Sequence, residues 1–404
     1  MAGVPPAVAS GASPVDSSIE RGVAMARQSQ WALALRYFHK AHAAAPDNAA
    51  ALLNLGLAND RMGGHEAAAI AWFRAYAAAA PGAANIAKVR KRINELSVAL
   101  EVNIQKLIDT DVRIANELTV QRQKTAALSA LVRVYAELGD IANAKRMAET
   151  AGRGAEGGWN AAYLAAALAR RGDFSEAAAE SGRIASPTQL SWTQAEIAVE
   201  QARRKNFDAA AETAGQIRVK TEAAYAFSRL AVLRARAGDT AGAEALLAKI
   251  DESEAGARAV ASAAVAAAMF HAGDASGGSR LLATASDALN HARTTDDRLS
   301  VQAMIAVAKA AQAPDLTPAA AAADIDGGAY RDRAIGDILV LRGDQRRARI
   351  FHWTSIAGTI ENDTKLGGLH DVIEAAKSKA PSQSAADIAA AAYEAARAFS
   401  ELRE

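Results

Sequence analysis

LAAALARRGDFSEA at residues 164–177 returns as IAVEQARRKNFDAA at 197–210 and as LAVLRARAGDTAGA at 230–243, each 33 residues after the last. The turn at the centre of each copy (Gly172-Asp173, Lys205-Asn206, Gly238-Asp239) has one further copy upstream, at Gly139-Asp140. Glycine ends a helix because it takes the left-handed backbone conformation without steric cost. Asp or Asn then caps the next helix by accepting a hydrogen bond from a free backbone N–H, worth about 1 kcal/mol. Alanine four residues on (Ala144, Ala177, Ala210, Ala243) lets two helices approach closely, and nine residues before the Asp or Asn comes an apolar residue (Leu131, Leu164, Ile197, Leu230). One unit is thus two antiparallel helices. A lone hairpin cannot bury its apolar face, so the period predicts stacked neighbours sharing one core, a helical solenoid.

Two units spaced 34 apart precede these, over residues 15–82: Gly22 and Gly56, Ala34 and Ala68, Phe38 and Trp72, Ala41 and Ala75, closed by Pro46 and Pro81. Here the chain resembles the tetratricopeptide repeat family, whose pattern has a small residue in the first helix, Ala and an aromatic in the second, and a closing proline. It departs from that pattern at Met25 and Asn59, where an aromatic is usual. The 33-residue units look like degenerate relatives. The resemblance implies an all-α fold, a right-handed α-α superhelix of about ten hairpins with a concave binding groove, and it implies no chemistry.

The wider composition agrees with helices. The chain is 51% hydrophobic but only 5% aromatic, the difference being largely alanine, the best helix former. Its net charge of +1 lacks the basic excess typical of nucleic-acid binders, so no nucleic-acid partner is expected. With no cysteine, disulfides, thiolate zinc sites and a cysteine nucleophile are excluded. No stretch reaches the roughly 18 apolar residues of a membrane span. The opening residues 1–14, rich in Pro, Gly, Ala and Ser, read as a flexible tether. That composition suits a periplasmic or lipid-anchored envelope protein, with a cytoplasmic one as the alternative.

Between the two groups, residues 83–122 read as connecting helices, with Ile86, Val89, Ile93, Leu96 and Leu100 spaced as the seam of a helix pair. The degenerate hairpins extend over 123–361: Gly273-Asp274 and Gly343-Asp344 continue the marker at spacings of 35 and 70, with a first helix lengthened around 290–297 between them. Residues 362–404 form a last hairpin split by Pro381, whose second helix is expected to cap the array.

Chemistry is harder to find. The chain has no phosphate-binding glycine loop, no Gly-x-Ser-x-Gly elbow and no His-Glu-x-x-His helix, and no cofactor or metal is expected. His39 and His42 read as surface histidines, and Asp296-Asp297 as a helix-start cap. In tetratricopeptide-like units the first helix lines the concave side, at positions 14, 11, 7 and 4 before the marker. The first of these holds Trp159, Trp192, Tyr225 and Tyr330, an aromatic ladder; the next ones include Ala162, Ala166, Val199 and Val232, and the corresponding face of the second unit holds Leu53 and Leu57. These residues read as a dry, apolar groove, or alternatively as core packing between helices. The expectation is a non-enzymatic binding or scaffold protein for a protein partner, within a bacterial envelope assembly or transport system. The alternative is a carrier for a hydrophobic small molecule such as a lipid, and groove closure distinguishes the two.

Overall fold

The computed structural model describes residues 13–152, 157–289, 294–362, 372, 374–375 and 379–403. Most of the opening stretch, the lengthening around 290–293 and most of the first helix of the last hairpin lie outside the described residues. Among the described residues the chain is all-α, with twenty helices and no strand. None of these helices is long and apolar enough to cross a membrane.

Four helices of equal length open the chain, α1 (Pro14–Arg27), α2 (Trp31–Ala44), α3 (Ala49–Met62) and α4 (Glu66–Ala79). The glycines in α1 and α3 have a steric role. A Cβ on Gly22 would run into the Phe38 ring, and one on Gly56 into Phe73 rather than the sequence-equivalent Trp72. A single long helix, α5 (Ile86–Glu117), follows. Then come the hairpins: α6 (Gln121–Glu137) with α7 (Ile141–Ala151), α8 (Gly157–Arg171) with α9 (Phe174–Ser181), and α10 (Pro187–Arg203) with α11 (Phe207–Gly215). The series continues through α12 (Lys220–Arg236) with α13 (Thr240–Leu247), α14 (Ala255–His271) with α15 (Ala275–Leu289), and α16 (Thr295–Gln312) with the single turn α17 (Pro318–Ala321). It ends with α18 (Gly328–Leu341), α19 (Gln345–Asn362) and α20 (Pro381–Arg403).

The repeated marker is the turn inside each hairpin. Gly139, Gly172, Gly238, Gly273 and Gly343 have φ of 74°, 95°, 86°, 87° and 78°. The following N–H bonds back to the carbonyl five residues earlier, as Asp140 does to Tyr135 and Asp173 to Leu168, both at 2.9 Å, which satisfies a carbonyl that the helix end would otherwise orphan. Lys205 holds the same conformation at φ 63° without being glycine. The carboxylates of Asp140, Asp239, Asp274 and Asp344 accept from the N–H three residues on at 2.8–3.1 Å. Asp173 makes no capping bond, and its carboxylate accepts instead from Arg171 Nε at 2.8 Å.

The first helices α6, α8, α10, α12, α14, α16 and α18 pack on one another in order. The second helices α7, α9, α11, α13, α15 and α17 pack on the first helices to either side and make no substantial contact with each other. A wall whose first helices touch while its second helices are held apart bends toward the first-helix side. The chain also returns on itself. Helix α19 packs on α4, and α20 lies along α5 and reaches α6 and α4. The reason is the seam of α5. Val89, Ile93, Leu96, Leu100, Ile104 and Leu107 are all buried, and they share one core with Ile388, Ala392, Ala395, Phe399 and Leu402 of α20. The final helix therefore does not sit beyond α19 at the end of the series but fills the apolar face of the connecting helix.

Polar contacts complete the return. Glu361 at the end of α19 accepts from Asn59 Nδ2 at 2.7 Å and Trp72 Nε1 at 2.9 Å, and lies 3.1 Å from His39 Nε2. Arg347 binds Asp47 at 3.0 Å, Arg74 donates to the Leu402 carbonyl, and Ser400 Oγ donates to the Glu137 carbonyl at 2.9 Å.

Candidate functional site

The bend brings five first helices around one cavity of about 510 Å³, lined from α10, α12, α14, α16 and α18. Laid flat at 8–10 Å between axes, α12 and α18 would stand about 25–30 Å apart. Instead, Arg236 Nη2 of α12 lies 3.0 Å from Asp337 Oδ2 of α18, and the two walls meet. On α12 the lining residues Thr221, Tyr225, Arg229, Val232 and Arg236 follow helical spacing and form one inward stripe. On α18 the stripe is Tyr330, Arg333 and Asp337.

This register layers the cavity. Thr221, Glu254 and Asp297 lie near the start of their helices, at one rim. Tyr330 also lies near the start of its helix, Tyr225, Arg229 and Arg333 come one to two turns further in, and the Arg236–Asp337 ion pair closes the far end. Val199, Val232, Leu233, Val260, Ala303 and Met304 supply apolar surface between them. Ser228, which also borders the cavity, donates from Oγ to the Ala257 carbonyl at 3.0 Å and ties α12 to the start of α14.

The enclosure shows in the titratable groups. Burial pushes the Tyr225 hydroxyl above its ordinary value, reinforced by Glu196 and opposed by Arg229, whose guanidinium lies 5.6 Å over the ring. Tyr330 is raised for the same first reason, with Asp296 adding to it. The Arg333 guanidinium reaches solvent inside the cavity, yet the protein crowded about it lowers its pKa, and Arg229 and Arg236 push the same way against Asp337.

A second cavity adjoins the first through Arg203, which borders both. It is lined by Arg133 and Glu137 of α6, Tyr163 and Arg170 of α8, Trp192, Glu196 and Glu200 of α10, and Tyr393 and Arg397 of α20. Three rings interlock beside it. Trp159 stacks on Tyr163 at 5.7 Å, and Trp192 meets both edge-on, at 5.8 Å from Trp159 and 5.7 Å from Tyr163. Arg133 lies 3.6 Å over the Tyr393 ring. Burial raises Glu196 above the usual carboxylate range, with Glu200 and Glu137 adding repulsion and Arg170 and Arg203 opposing it.

The aromatic ladder falls into two parts. Trp159 and Trp192 join through Tyr163, whereas Tyr225 and Tyr330 line the first cavity together with Val199 and Val232. Ala162 and Ala166 are closed off from solvent by helix packing, and Leu53 and Leu57 sit on α3 outside both cavities. The lining is also more polar than the small apolar positions suggested. On α10 and α12 the inward stripe runs 14, 10, 6 to 7 and 3 before the marker, and on α8 it runs 10, 6 and 3, so it includes Tyr163, Glu196 and Arg229, then Arg170, Arg203 and Arg236. Positions 11 and 4 before the marker on α10 hold Ala195 and Ala202, which are buried in helix packing. The missed signal was an arginine recurring at the 33-residue period, Arg170, Arg203 and Arg236. Compared with known proteins, the chain matches no family model and no curated sequence.

Proposed function

We propose that the chain is a non-enzymatic binding protein, built from tetratricopeptide-like hairpins wound as a right-handed superhelix, that carries a small molecule on its concave side. The observation behind this reading is the return of α19 and α20 onto α4 and α5, together with the Arg236–Asp337 contact across the first-helix wall. An array that turns back on itself limits the space for a folded partner and favours a ligand that fits within. The first cavity's 510 Å³ falls in the range of roughly 300–1,000 Å³ usual for small-molecule sites. Its mixture of apolar wall and a few directed charges is the composition such sites use.

A second reading rests on a different observation. The second cavity shares Arg203 with the first, and shares Arg133 and Tyr393 with a third between α6 and α20. This continuous path suits an extended protein segment, laid along the wall as a peptide lies in a groove. Native mass spectrometry of the protein purified from its own host separates the two. A retained mass of small-molecule size is the expected result; a retained polypeptide would replace the first reading with the second, and a bare chain would remove the first.

A further inference from the structure

Charge in the first cavity is unevenly satisfied. Of its four arginines, Arg203 is held by Glu200 at 2.7 Å and Arg236 by Asp337 at 3.0 Å. Arg229 and Arg333 have no ion-pair partner among the described residues, and both reach solvent within the cavity. They project into the same cavity from α12 and α18, the two walls that meet at the Arg236–Asp337 contact. Two guanidinium groups held together in a partly enclosed space gain from an anion between them, because the reduced dielectric strengthens the attraction. A guanidinium fork also matches the oxygens of a carboxylate or phosphate in a two-point contact. Beside them Tyr225 and Tyr330 offer rings, and Val232, Val260 and Met304 an apolar wall.

We propose that this cavity binds a small organic anion, a carboxylate or phosphate monoester with an aromatic or short aliphatic body, its charge on Arg229 and Arg333 and its body beside Tyr225 and Tyr330. The inference rests on the small-molecule reading above and names its ligand class. The rim sharpens it: Glu254 and Asp297 border the cavity toward the helix starts and disfavour a second negative group there. The site therefore selects a ligand with one anionic head and rejects polyanions. The same head chemistry occurs on a free metabolite and on an anionic lipid.

The test is calorimetric titration of the full chain with 4-phenylbutyrate, phenyl phosphate, 4-phenylbutylamine and 4-phenylbutanol. Cosedimentation with phosphatidylcholine vesicles, with and without phosphatidic acid, runs alongside. The two soluble anions bind one per chain, and the amine and the alcohol bind at least about tenfold more weakly. Arg229→Gln and Arg333→Gln each weaken the anions about tenfold or more, the usual worth of a hydrogen bond to a charged group. Arg333→Lys recovers part of the loss, since it restores charge without the fork. Arg280→Gln, on α15 and paired with Glu244, changes nothing. Both cavity arginines face solvent, so their variants keep the wild-type melting temperature. Cosedimentation only with phosphatidic acid, lost in the two Gln variants, assigns the head to a lipid; its absence beside soluble-anion binding assigns it to a free anion. Equal binding of acid, amine and alcohol overturns the anion assignment while leaving a small-molecule carrier standing. Failure of both anions and of the vesicles also overturns it, and the native mass then decides the carrier reading separately.

Discussion

His42 on α2 and Asp332 on α18 lie 290 residues apart in the chain, yet His42 Nε2 sits 3.1 Å from Asp332 Oδ2 with both side chains buried. The Trp72 ring stands edge-on to the imidazole at 5.1 Å and closes it off from solvent. This contact joins the opening hairpins to the end of the first-helix series. Removing one member of a buried polar pair leaves the other desolvated and alone, which costs more than the pair contributes. Asp332→Ala is expected to lower stability by about 2–3 kcal/mol and to speed hydrogen exchange in α1–α4 before the rest. Stability within about 0.5 kcal/mol of wild type, by chemical denaturation, would mean that the seam is held elsewhere.

Two aspartates at equivalent positions are expected to behave differently. Asp239 accepts from Gly242 N at 2.8 Å, so Asp239→Ala loses a cap and about 1 kcal/mol. Asp173 makes no such bond, and Asp173→Ala is expected to cost only a few tenths of a kcal/mol. Equal losses for the two in thermal melts would show that the capping bond is not what the marker supplies.

Lys205 occupies the left-handed position that glycine holds in the neighbouring turns. A side chain there costs about 1–2 kcal/mol relative to glycine, offset in part by the extra freedom glycine has when unfolded. Lys205→Gly is therefore expected to stabilise by up to about 1 kcal/mol, a gain read as a higher denaturant midpoint with an unchanged slope.

Asp111 of α5 is fully buried, and neither carboxylate oxygen has a hydrogen-bond partner among the described residues. Burial pushes its pKa up to about 8 from the ordinary 3.8, so the folded chain keeps a proton that the unfolded chain releases. Its effect is absent below the unfolded value, where both states are protonated. As pH rises from about 4 to about 8 the unfolded state is favoured progressively, and at about 1.4 kcal/mol per unit the loss reaches an upper bound near 6 kcal/mol. Asp111→Asn is expected to flatten the fall in melting temperature between pH 5 and pH 9. An unchanged profile would place the proton loss on another group.

What the sequence made legible was local. The Gly-Asp turns, their caps and the apolar seam of α5 are set by residues within one or two helical turns, and backbone sterics dictate them wherever the chain goes. The return of α19 and α20 could not be read that way. Ile388 and Phe399 look like any apolar stripe until the unpaired face of α5 is placed beside them. The candidate site was half legible for a related reason. The aromatic positions are periodic, but which neighbouring stripe faces inward depends on how each first helix rolls against the next. A rotation of one residue replaces Ala195 and Ala202 by Glu196 and Arg203.

That rotation separates the two halves of the aromatic ladder and makes them testable against each other. Trp159, Tyr163 and Trp192 contact one another, and Trp159 and Trp192 pack against the buried residues Ala161, Ala162 and Ile184, so they act chiefly in packing. Trp192→Ala is expected to cost about 2–3 kcal/mol of stability, less than a fully buried aromatic because the ring is only half-buried. Tyr225 is 37% exposed and its ring faces the cavity, so Tyr225→Ala is expected to cost less than about 1 kcal/mol. It should nevertheless weaken 4-phenylbutyrate binding several-fold, as the loss of an interface aromatic does. Trp31, Trp72 and Trp353 also emit, so Trp192→Phe serves as the reference for fluorescence. Acrylamide should then quench the Trp192 contribution partially, and ligand should leave it unchanged. A large ligand-dependent change at Trp192, with Tyr225→Ala binding normally, would move the ligand from the first cavity to the second.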